Sequence, residues 1–194
     1  DTTSNRNNQF IGGSGNDTIT GNGGADVMYG GAGNDTFVLN ANNVAQLSDN
    51  TNIPQSIARI IGGTGLDTIK LDGAGITLDL TSVRPSVIDS VENLDVTGSG
   101  NNTVKLALAD VLDLGQNNVF NVNTSATDTR KQLMITGDAG DVVQLTDLAN
   151  WTLSGSTFAQ NGHTYVVYNH NASSVQLLVD QLIYNANGHA NVHA

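Results

Sequence analysis

A nine-residue repeat near the N-terminal end limits what this chain can fold into more than any other feature of its sequence. The copies read GGSGNDTIT from Gly12, GNGGADVMY from Gly21 and GGAGNDTFV from Gly30. Each copy places one aspartate at the same position: Asp17, Asp26 and Asp35. Glycines allow positive-φ turns, and the second half of each copy suits a short strand. Self-similarity at so short a period predicts a solenoid of stacked coils, with two copies in each coil and parallel strands.

A fourth copy follows after an interruption. It reads GGTGLDTIK, begins at Gly62 and carries Asp67, but it starts 32 residues after the third copy and so leaves the nine-residue phase. We interpret residues 39–61 as an insertion that ends in a strand-like apolar run over 57–61. A large apolar residue stands two places after each repeat aspartate: Ile19, Met28, Phe37 and Ile69. One such side chain per copy predicts a narrow core between the strands.

The composition supports a chain of turns and strands and excludes several classes of function. Among 194 residues, 18 are Asp or Glu and seven are Lys or Arg, which gives a net charge of −11. Proteins that bind nucleic acids or anionic membranes need clustered basic residues, so neither class fits. Glu92 is the only glutamate, and the other acids are Asp, which favours turns and binds hard cations through oxygen. Cysteine is absent, which excludes disulfides and thiolate metal sites.

The rest of the chain shows weaker patterns. Residues 67–97 alternate apolar and polar side chains, 98–102 resemble a repeat turn without its carboxylate, and 133–145 read as strand, turn and strand. Only residues 105–114 have helical spacing. The late segments WTLSGSTF, HTYVVYNH and VQLLVD suggest a closing antiparallel hairpin or meander. We expect a lead-in over 1–11, a roll over 12–74, a β-rich part of the same domain over 75–184 and a flexible tail over 185–194.

The nonapeptides match the pattern GGxGxDxUx, and the chain resembles the C-terminal RTX region of large bacterial adhesins, of the biofilm and ice-binding kinds, that are exported by type I secretion. The later segments that carry the resemblance are DTIKLDGAGITLDLT, VENLDVTG, LADVLDL, GDAGDVVQL, TYVVYNH and VQLLVD. The resemblance implies an all-β fold: a short calcium-bound parallel β-roll, continued by an irregular β-solenoid or sandwich with a closing antiparallel sheet.

The function that this resemblance implies is structural rather than catalytic. It implies a domain that is exported unfolded, folds when calcium binds outside the cell, and stays attached to upstream adhesin domains at the cell surface or in secreted form. The type I secretion machinery would read its unfolded C-terminus, and we expect a monomer. The absence of cysteine and of any Lys or Arg after Lys131 agrees with export. No nucleophile elbow or histidine-centred motif occurs, so we expect no enzyme activity.

The resemblance also implies calcium ligands, because the repeat aspartates supply charge and the glycine turns supply backbone carbonyls. Alternate copies stack on one side of a roll, so we expect Asp17 to pair with Asp35, and Asp26 with Asp67 if the insertion keeps the phase. The carbonyls expected at the first site belong to Gly13, Gly15, Gly30 and Ala32, and those at the second to Asn22, Gly24, Gly62 and Thr64. The fourth copy is the most divergent, since Leu66 stands where the others have Asn or Ala.

Other groups of residues have two readings each. Asp138 and Asp141 suit either another calcium site or an ordinary turn. Three aromatic residues suit packing in the terminal sheet better than stacking on a sugar: Trp151, Tyr165 and Tyr168. Four histidines lack the helix that would align them as zinc ligands: His163, His170, His189 and His193. Two rival functions stay open, a calcium-stabilised extracellular module that binds glycans or ice, and the RTX tail of a secreted protease or lipase.

Overall fold

The protein is described by a computed structural model over residues 6–48, 58–122, 128–185 and 192–193. Strands are the main regular structure, most of them short and stacked in coils, and the expected all-β class is confirmed. Three short helices occur in these residues: α1 (Ala41–Leu47), α2 (Leu108–Leu114) and α3 (Gln181–Asn185). None of the described helices is long and apolar enough to cross a membrane.

Eight strands build an N-terminal roll from two sheets that share one core. The first sheet contains, side by side, β1 (Gln9–Ser14), β3 (Val27–Ala32), β5 (Arg59–Thr64) and β8 (Ile88–Asp89). The second sheet starts with β2 (Thr18–Thr20), β4 (Thr36–Leu39), β6 (Thr68–Leu71) and β9 (Asn93–Asp95). All neighbours in the roll run parallel, and the first coil pairs Gln9 with Val27 and Thr18 with Thr36. One coil therefore contains two copies of the repeat, as the sequence predicts.

Two columns of apolar side chains fill the roll. The column from the first sheet contains Phe10, Met28, Ile60 and Ile88, and the column from the second sheet contains Ile19, Phe37, Ile69 and Leu94. All of these are buried except Phe10, which is partly buried and packs against the others. Side chains alternate along a strand, so the residue two places after each repeat aspartate points inward.

The insertion leaves the stacking of the coils intact. Helix α1 follows β4 directly, β5 starts at Arg59, and residues 49–57 lie outside the described part of the chain. β5 then pairs with β3 and β6 with β4, and Phe37 lies opposite Ile69. A coil requires only that its strands return in register, so an excursion between strands is tolerated. The sequence does not predict α1, which Asn40 caps by accepting the N–H of Asn43 (3.1 Å).

The C-terminal part adds a third sheet and extends the second. The third sheet contains the parallel strands β17 (Val192–His193), β13 (Val142–Leu145), β10 (Thr103–Leu106) and β7 (Thr77–Asp79). The second sheet continues from β9 through β12 (Lys131–Thr136), β16 (Val175–Asp180) and β15 (His163–His170) to β14 (Trp151–Gln160), and β11 (Gln116–Asn117) pairs with β12. β14, β15 and β16 run antiparallel, which confirms the closing sheet.

Three boundaries differ from the sequence prediction. Residues 105–114 do not form one helix, because Leu106 is fully buried as part of β10 and α2 starts only at Leu108. The roll begins at Gln9, so its first strand includes the end of the predicted lead-in. The tail predicted to be flexible contains β17, where Val192 is buried and uses the free edge of β13. Residues 186–191 and 194 lie outside the described chain.

Candidate metal centre

One carboxylate from each coil stands in a column at the turns between the first and second sheets. The N–H of Asp17 donates to Oδ1 of Asp35 (2.8 Å), and the N–H of Asp35 donates to Oδ1 of Asp67 (2.7 Å). The N–H of Asp67 donates to Oε2 of Glu92 (2.9 Å). Each carboxylate from Asp35 onward is thus held through one oxygen by the preceding coil, which also fixes the direction of its other oxygen. We call Asp17, Asp35, Asp67 and Glu92 the carboxylate column.

The second oxygen of the three aspartates has no protein partner. Oδ2 of Asp17, of Asp35 and of Asp67 is shielded from solvent and accepts no hydrogen bond within the described residues. Leaving a buried carboxylate oxygen unpaired is costly, and native structures seldom do so without an ion or water. The same unpaired atom at three equivalent positions indicates a repeated cation site.

Glycines leave the space beside these oxygens open. A Cβ added to Gly12 would lie 2.6 Å from Oδ2 of Asp17 and 2.6 Å from the carbonyl oxygen of Gly30. A Cβ on Gly30 would overlap Oδ2 of Asp35 and lie 2.7 Å from the carbonyl oxygen of Gly62. We call the space between two successive turns of the column a step. In each of these steps a carboxylate oxygen and a carbonyl oxygen lie on either side of a gap that a side chain would fill.

More carbonyls point between the turns. Gly31 and Gly33 have φ of 114° and 122°, and a Cβ on either would collide with the carbonyl oxygen of Gly13 or Gly15, respectively. Gly63 and Gly65 repeat this relation to Gly31 and Gly33 in the next coil. The carbonyl of Ala32 belongs to the same turn and accepts the N–H of Gly15 (2.7 Å). Carboxylates and closely spaced carbonyls are the donors that Ca²⁺ prefers.

The backbone is essential to this donor set. Within the described residues, no three His, Cys, Asp or Glu side chains are grouped so that they could hold a metal ion by themselves. A cation in the first step would be held by Asp17 and Asp35 with the carbonyls of Gly13, Gly15, Gly30 and Ala32. The fold thus brings Asp17 and Asp35 close to each other and to the turn carbonyls that were predicted for the first site.

The predicted pairing of Asp26 with Asp67 is wrong. β5 and β6 stack on β3 and β4, so the turn of the fourth copy lies on the turn that carries Asp35. Gly62 and Thr64, expected beside Asp26, belong instead to the second step of the column, where the carbonyl of Thr64 accepts the N–H of Gly33 (2.8 Å). The insertion replaces the next turn on the Asp26 side of the roll. The fourth copy therefore forms a turn on the opposite side, next to the turn that carries Asp35.

Asp26 lies on the opposite side of the roll and has partners for both oxygens. Oδ1 accepts the N–H of Asn8 (2.8 Å), and Oδ2 accepts Nδ2 of Asn43 (2.9 Å). Burial raises the pKa of Asp26, against the effect of these hydrogen bonds. The predicted ligands Asn22 and Gly24 are in this turn at positive φ, 57° and 97°.

Glu92 ends the carboxylate column, and sequence reasoning did not assign it to the site. Asp89 lies opposite Ile61 and Asn93 opposite Thr68, so the fourth turn is shorter than the glycine-rich turn before it. The longer Glu side chain still reaches the N–H of Asp67, and its Oε1 accepts Nε2 of Gln116 (2.6 Å). Its place as the only glutamate, three residues after β8 ends, is the one sequence signal.

Burial has a clear electrostatic effect at this end of the column. It raises the pKa of Glu92 to about 7, and the neighbouring charge of Asp67 adds to the rise. It raises the pKa of Asp67 to about 6, with a further contribution from Asp35. Beside Oδ2 of Asp67 the carbonyl of Ser90 is the facing group, because a Cβ on Gly62 would overlap both atoms. These acids resist ionisation unless a cation lies next to them.

The other candidate sites form parts of the fold. Asp141 accepts the N–H of Asn102 (2.8 Å) and of Asp138 (2.7 Å), as an ordinary turn does. The three aromatic residues considered for stacking on a sugar are buried: Trp151, Tyr165 and Tyr168. His163 and His170 lie at opposite ends of β15, next to Asp180 and Asp147 respectively, while His193 is in β17 and His189 lies outside the described residues.

Comparison with known families agrees with the geometry of the roll. Residues 2–37 match a family model described as four copies of the RTX calcium-binding nonapeptide repeat. The match covers Asp17, Asp26 and Asp35, and it includes β1. RTX repeats bind calcium ions, so calcium is the cofactor of this N-terminal part. No curated protein matches the chain.

Proposed function

We propose that the chain is a non-catalytic domain that folds on calcium binding and directs type I secretion at the C-terminal end of a bacterial adhesin. One observation carries the calcium-dependent folding: Oδ2 of Asp17, Asp35 and Asp67 is buried without a partner at three equivalent positions. The export role is supported by the resemblance of the later segments to adhesin C-termini and by the acidic, cysteine-free composition.

Two steps of the column have a full set of candidate ligands. The first would use Asp17 and Asp35 with carbonyls of the flanking turns: Gly13, Gly15, Gly30 and Ala32. The second would use Asp35 and Asp67 with the carbonyls at the same positions one coil further: Gly31, Gly33, Gly62 and Thr64. Asp35 is shared between the two steps. At the third unpartnered oxygen the glycine-rich turn is missing, so we count two calcium ions in the column.

Charge explains why folding would depend on the ion. Two carboxylates about one strand spacing apart, ~5 Å, repel by roughly 3 kcal/mol at an effective dielectric constant of about 20. A calcium ion between them reverses the sign. With a dissociation constant of about 0.1 mM, as in extracellular modules, millimolar calcium adds roughly 1–3 kcal/mol per site. Cytosolic calcium is far lower, so the chain would stay unfolded before export and fold outside.

Circular dichroism tests the folding half of the proposal. In chelator the β signal should be lost, and millimolar calcium should restore it. Magnesium should restore it poorly, because it demands a tighter octahedral shell and loses water reluctantly. An unchanged β spectrum in chelator would overturn calcium-dependent folding.

Secretion of a fused passenger tests the export half. Deletion of residues 175–194 should abolish export from cells that carry a matching transporter. Asp17→Asn with Asp35→Asn should preserve recognition and lower the yield, because the emerging chain could no longer be trapped by folding. Export at full yield without residues 175–194 would contradict the assigned role of the C-terminal segment. If the whole chain failed to direct export, the calcium-stabilised binding module would be the better function.

A further inference from the structure

The turn that carries Asp26 has the repeat spacing, but a side chain from the insertion fills it. Residues 21–26 read GNGGAD, and three of them have positive φ: Asn22, Gly23 and Gly24. In the carboxylate column, Oδ2 of each aspartate is unpartnered. Here Oδ2 of Asp26 accepts a hydrogen bond from Asn43, which α1 supplies.

Asn43 meets the two kinds of ligand that a cation would take. Its Nδ2 lies 2.9 Å from Oδ2 of Asp26 and 3.3 Å from the carbonyl oxygen of Gly24. These are the sixth and fourth positions of the repeat, which supply a carboxylate and a carbonyl to each step of the column. A Cβ added to Gly21, at the first position, would lie 2.6 Å from Nδ2 of Asn43. The amide nitrogen thus lies where the column has open space beside a carboxylate.

The rest of the amide is fixed by the backbone around it. Oδ1 of Asn43 accepts the N–H of Gly23 (2.9 Å) and the N–H of Asn40 (3.3 Å), and the side chain is 3% exposed. Val44 and Leu47 on the same helix are buried in the core. Oxygen therefore faces N–H groups and nitrogen faces oxygens, which is the one orientation that satisfies all of them.

We propose that Asn43 takes the place of a divalent cation at the Asp26 turn, and that the insertion makes this side of the roll independent of calcium. The two N–H groups of one amide donate to the carboxylate and the carbonyl that an ion would otherwise bind. The inference rests on the proposed function, since it takes calcium to be bound in the column on the other side. Repeat aspartates occur on both sides of the roll, and only one side binds the ion.

Conversion of the amide to a carboxylate tests this directly. Asn43→Asp keeps the shape of the side chain, removes both N–H donors and adds a ligand beside Asp26. Calcium bound per chain, measured by equilibrium dialysis at saturating calcium, should increase by one relative to the unsubstituted protein. The matched control is Asn42→Asp, which adds the same charge one residue earlier on the exposed side of α1 and should leave the count unchanged.

Two substitutions in the otherwise natural chain keep the test decisive if Asn43→Asp fails to fold. Asp26→Asn should leave the calcium count unchanged, whereas Asp35→Asn should lower it. A lower count with Asp26→Asn would show an ion at this turn and overturn the inference. An unchanged count in folded Asn43→Asp would overturn it too. If Asp35→Asn left the count unchanged, the calcium column itself would be refuted, which is a different failure.

Discussion

Two regions of the molecule stack their turns with the same hydrogen-bond ladder and complete it differently. In the roll, the N–H of Asp35 donates to Oδ1 of Asp67 in the next coil (2.7 Å). In the third sheet, the N–H of Asn102 donates to Oδ1 of Asp141 in the next coil (2.8 Å). Asn102 stands where the sequence shows a repeat turn without its carboxylate. Both ladders fix the register of neighbouring turns.

The difference lies in the second polar atom of each side chain. Oδ2 of Asp67 has no hydrogen-bond partner among the described residues, whereas Oδ2 of Asp141 accepts the N–H of Asp138 (2.7 Å). Nδ2 of Asn102 donates to the carbonyls of Gly73 (3.1 Å) and Val96 (3.2 Å). The ladder is therefore a device for stacking, and the need for a cation depends on what lies beside the second atom.

Asp35→Asn should have the largest effect on calcium dependence, because Asp35 belongs to both steps of the column. The slope of the unfolding free energy against the logarithm of calcium concentration counts the ions taken up on folding. We expect this slope to fall by close to two ions and the calcium midpoint to rise at least ~10-fold, since each lost charge beside the ion removes more than about 1.4 kcal/mol. Urea unfolding at a series of calcium concentrations measures both.

The control for that measurement is Asp141→Asn, which makes the same change at the equivalent ladder position of the third sheet. We expect it to lower the unfolding free energy by about 1–3 kcal/mol, because a buried N–H loses its acceptor, at every calcium concentration. The slope should not change. A slope that falls equally in the two variants would remove the distinction between the two regions.

Gly30→Ala should have an intermediate effect and remove one ion. Its Cβ would overlap Oδ2 of Asp35 and lie 2.7 Å from the carbonyl of Gly62, so it fills one step and leaves the other free. In the third-sheet region Gly98→Ala meets no atom within 4 Å but strains a backbone at φ 134°. That strain should cost about 1–3 kcal/mol without a change in slope. An unchanged slope in Gly30→Ala would show that the space beside Asp35 holds no ion.

Glu92 lies at the junction between the two regions, and Glu92→Gln should have the smallest effect. The effect should appear only in how the unfolding free energy depends on pH. Burial raises the pKa of Glu92 to about 7, so the folded protein keeps this proton at pH values where the unfolded chain has lost it. The protonated Glu92 side chain therefore contributes to the unfolding free energy in full below its ordinary pKa of 4.5, and this contribution is lost as pH rises through 7. The two proposed ions lie in the first two steps of the column and not beside Glu92, so relative to the natural chain at the same calcium concentration the Gln variant should gain about 1 kcal/mol between pH 6 and pH 8.

Denaturant unfolding at the two pH values measures this difference, in which titrating groups that are distant from Glu92 cancel because both proteins carry them. A difference that stays constant between pH 6 and pH 8 would show that Glu92 is ionised throughout.

Short-range spacing made part of the site predictable. Asp17 and Asp35 are two copies apart with no interruption, so one coil brings them together whatever the rest of the chain does. The partner of Asp67 was mispredicted because the insertion broke the phase, and the phase alone cannot say on which side of the roll the chain resumes. The end of the strand over Thr103–Leu106 was mispredicted as helix, because its apolar residues also fit a helical period.

The sequence by itself determined the coil, its parallel strands, the inward apolar residues and the position of an aspartate in each copy of the repeat, because each follows from a period of nine residues. Only the tertiary structure decided which turns stack after the insertion, that the amide of Asn43 fills the Asp26 turn, and that Glu92 closes the column. These contacts join residues 17 and 25 positions apart through an irregular excursion and a shortened turn. No repeat spacing encodes these contacts. They form because a buried oxygen or N–H group without a hydrogen-bond partner costs free energy, and the tertiary structure decides which partner is within reach.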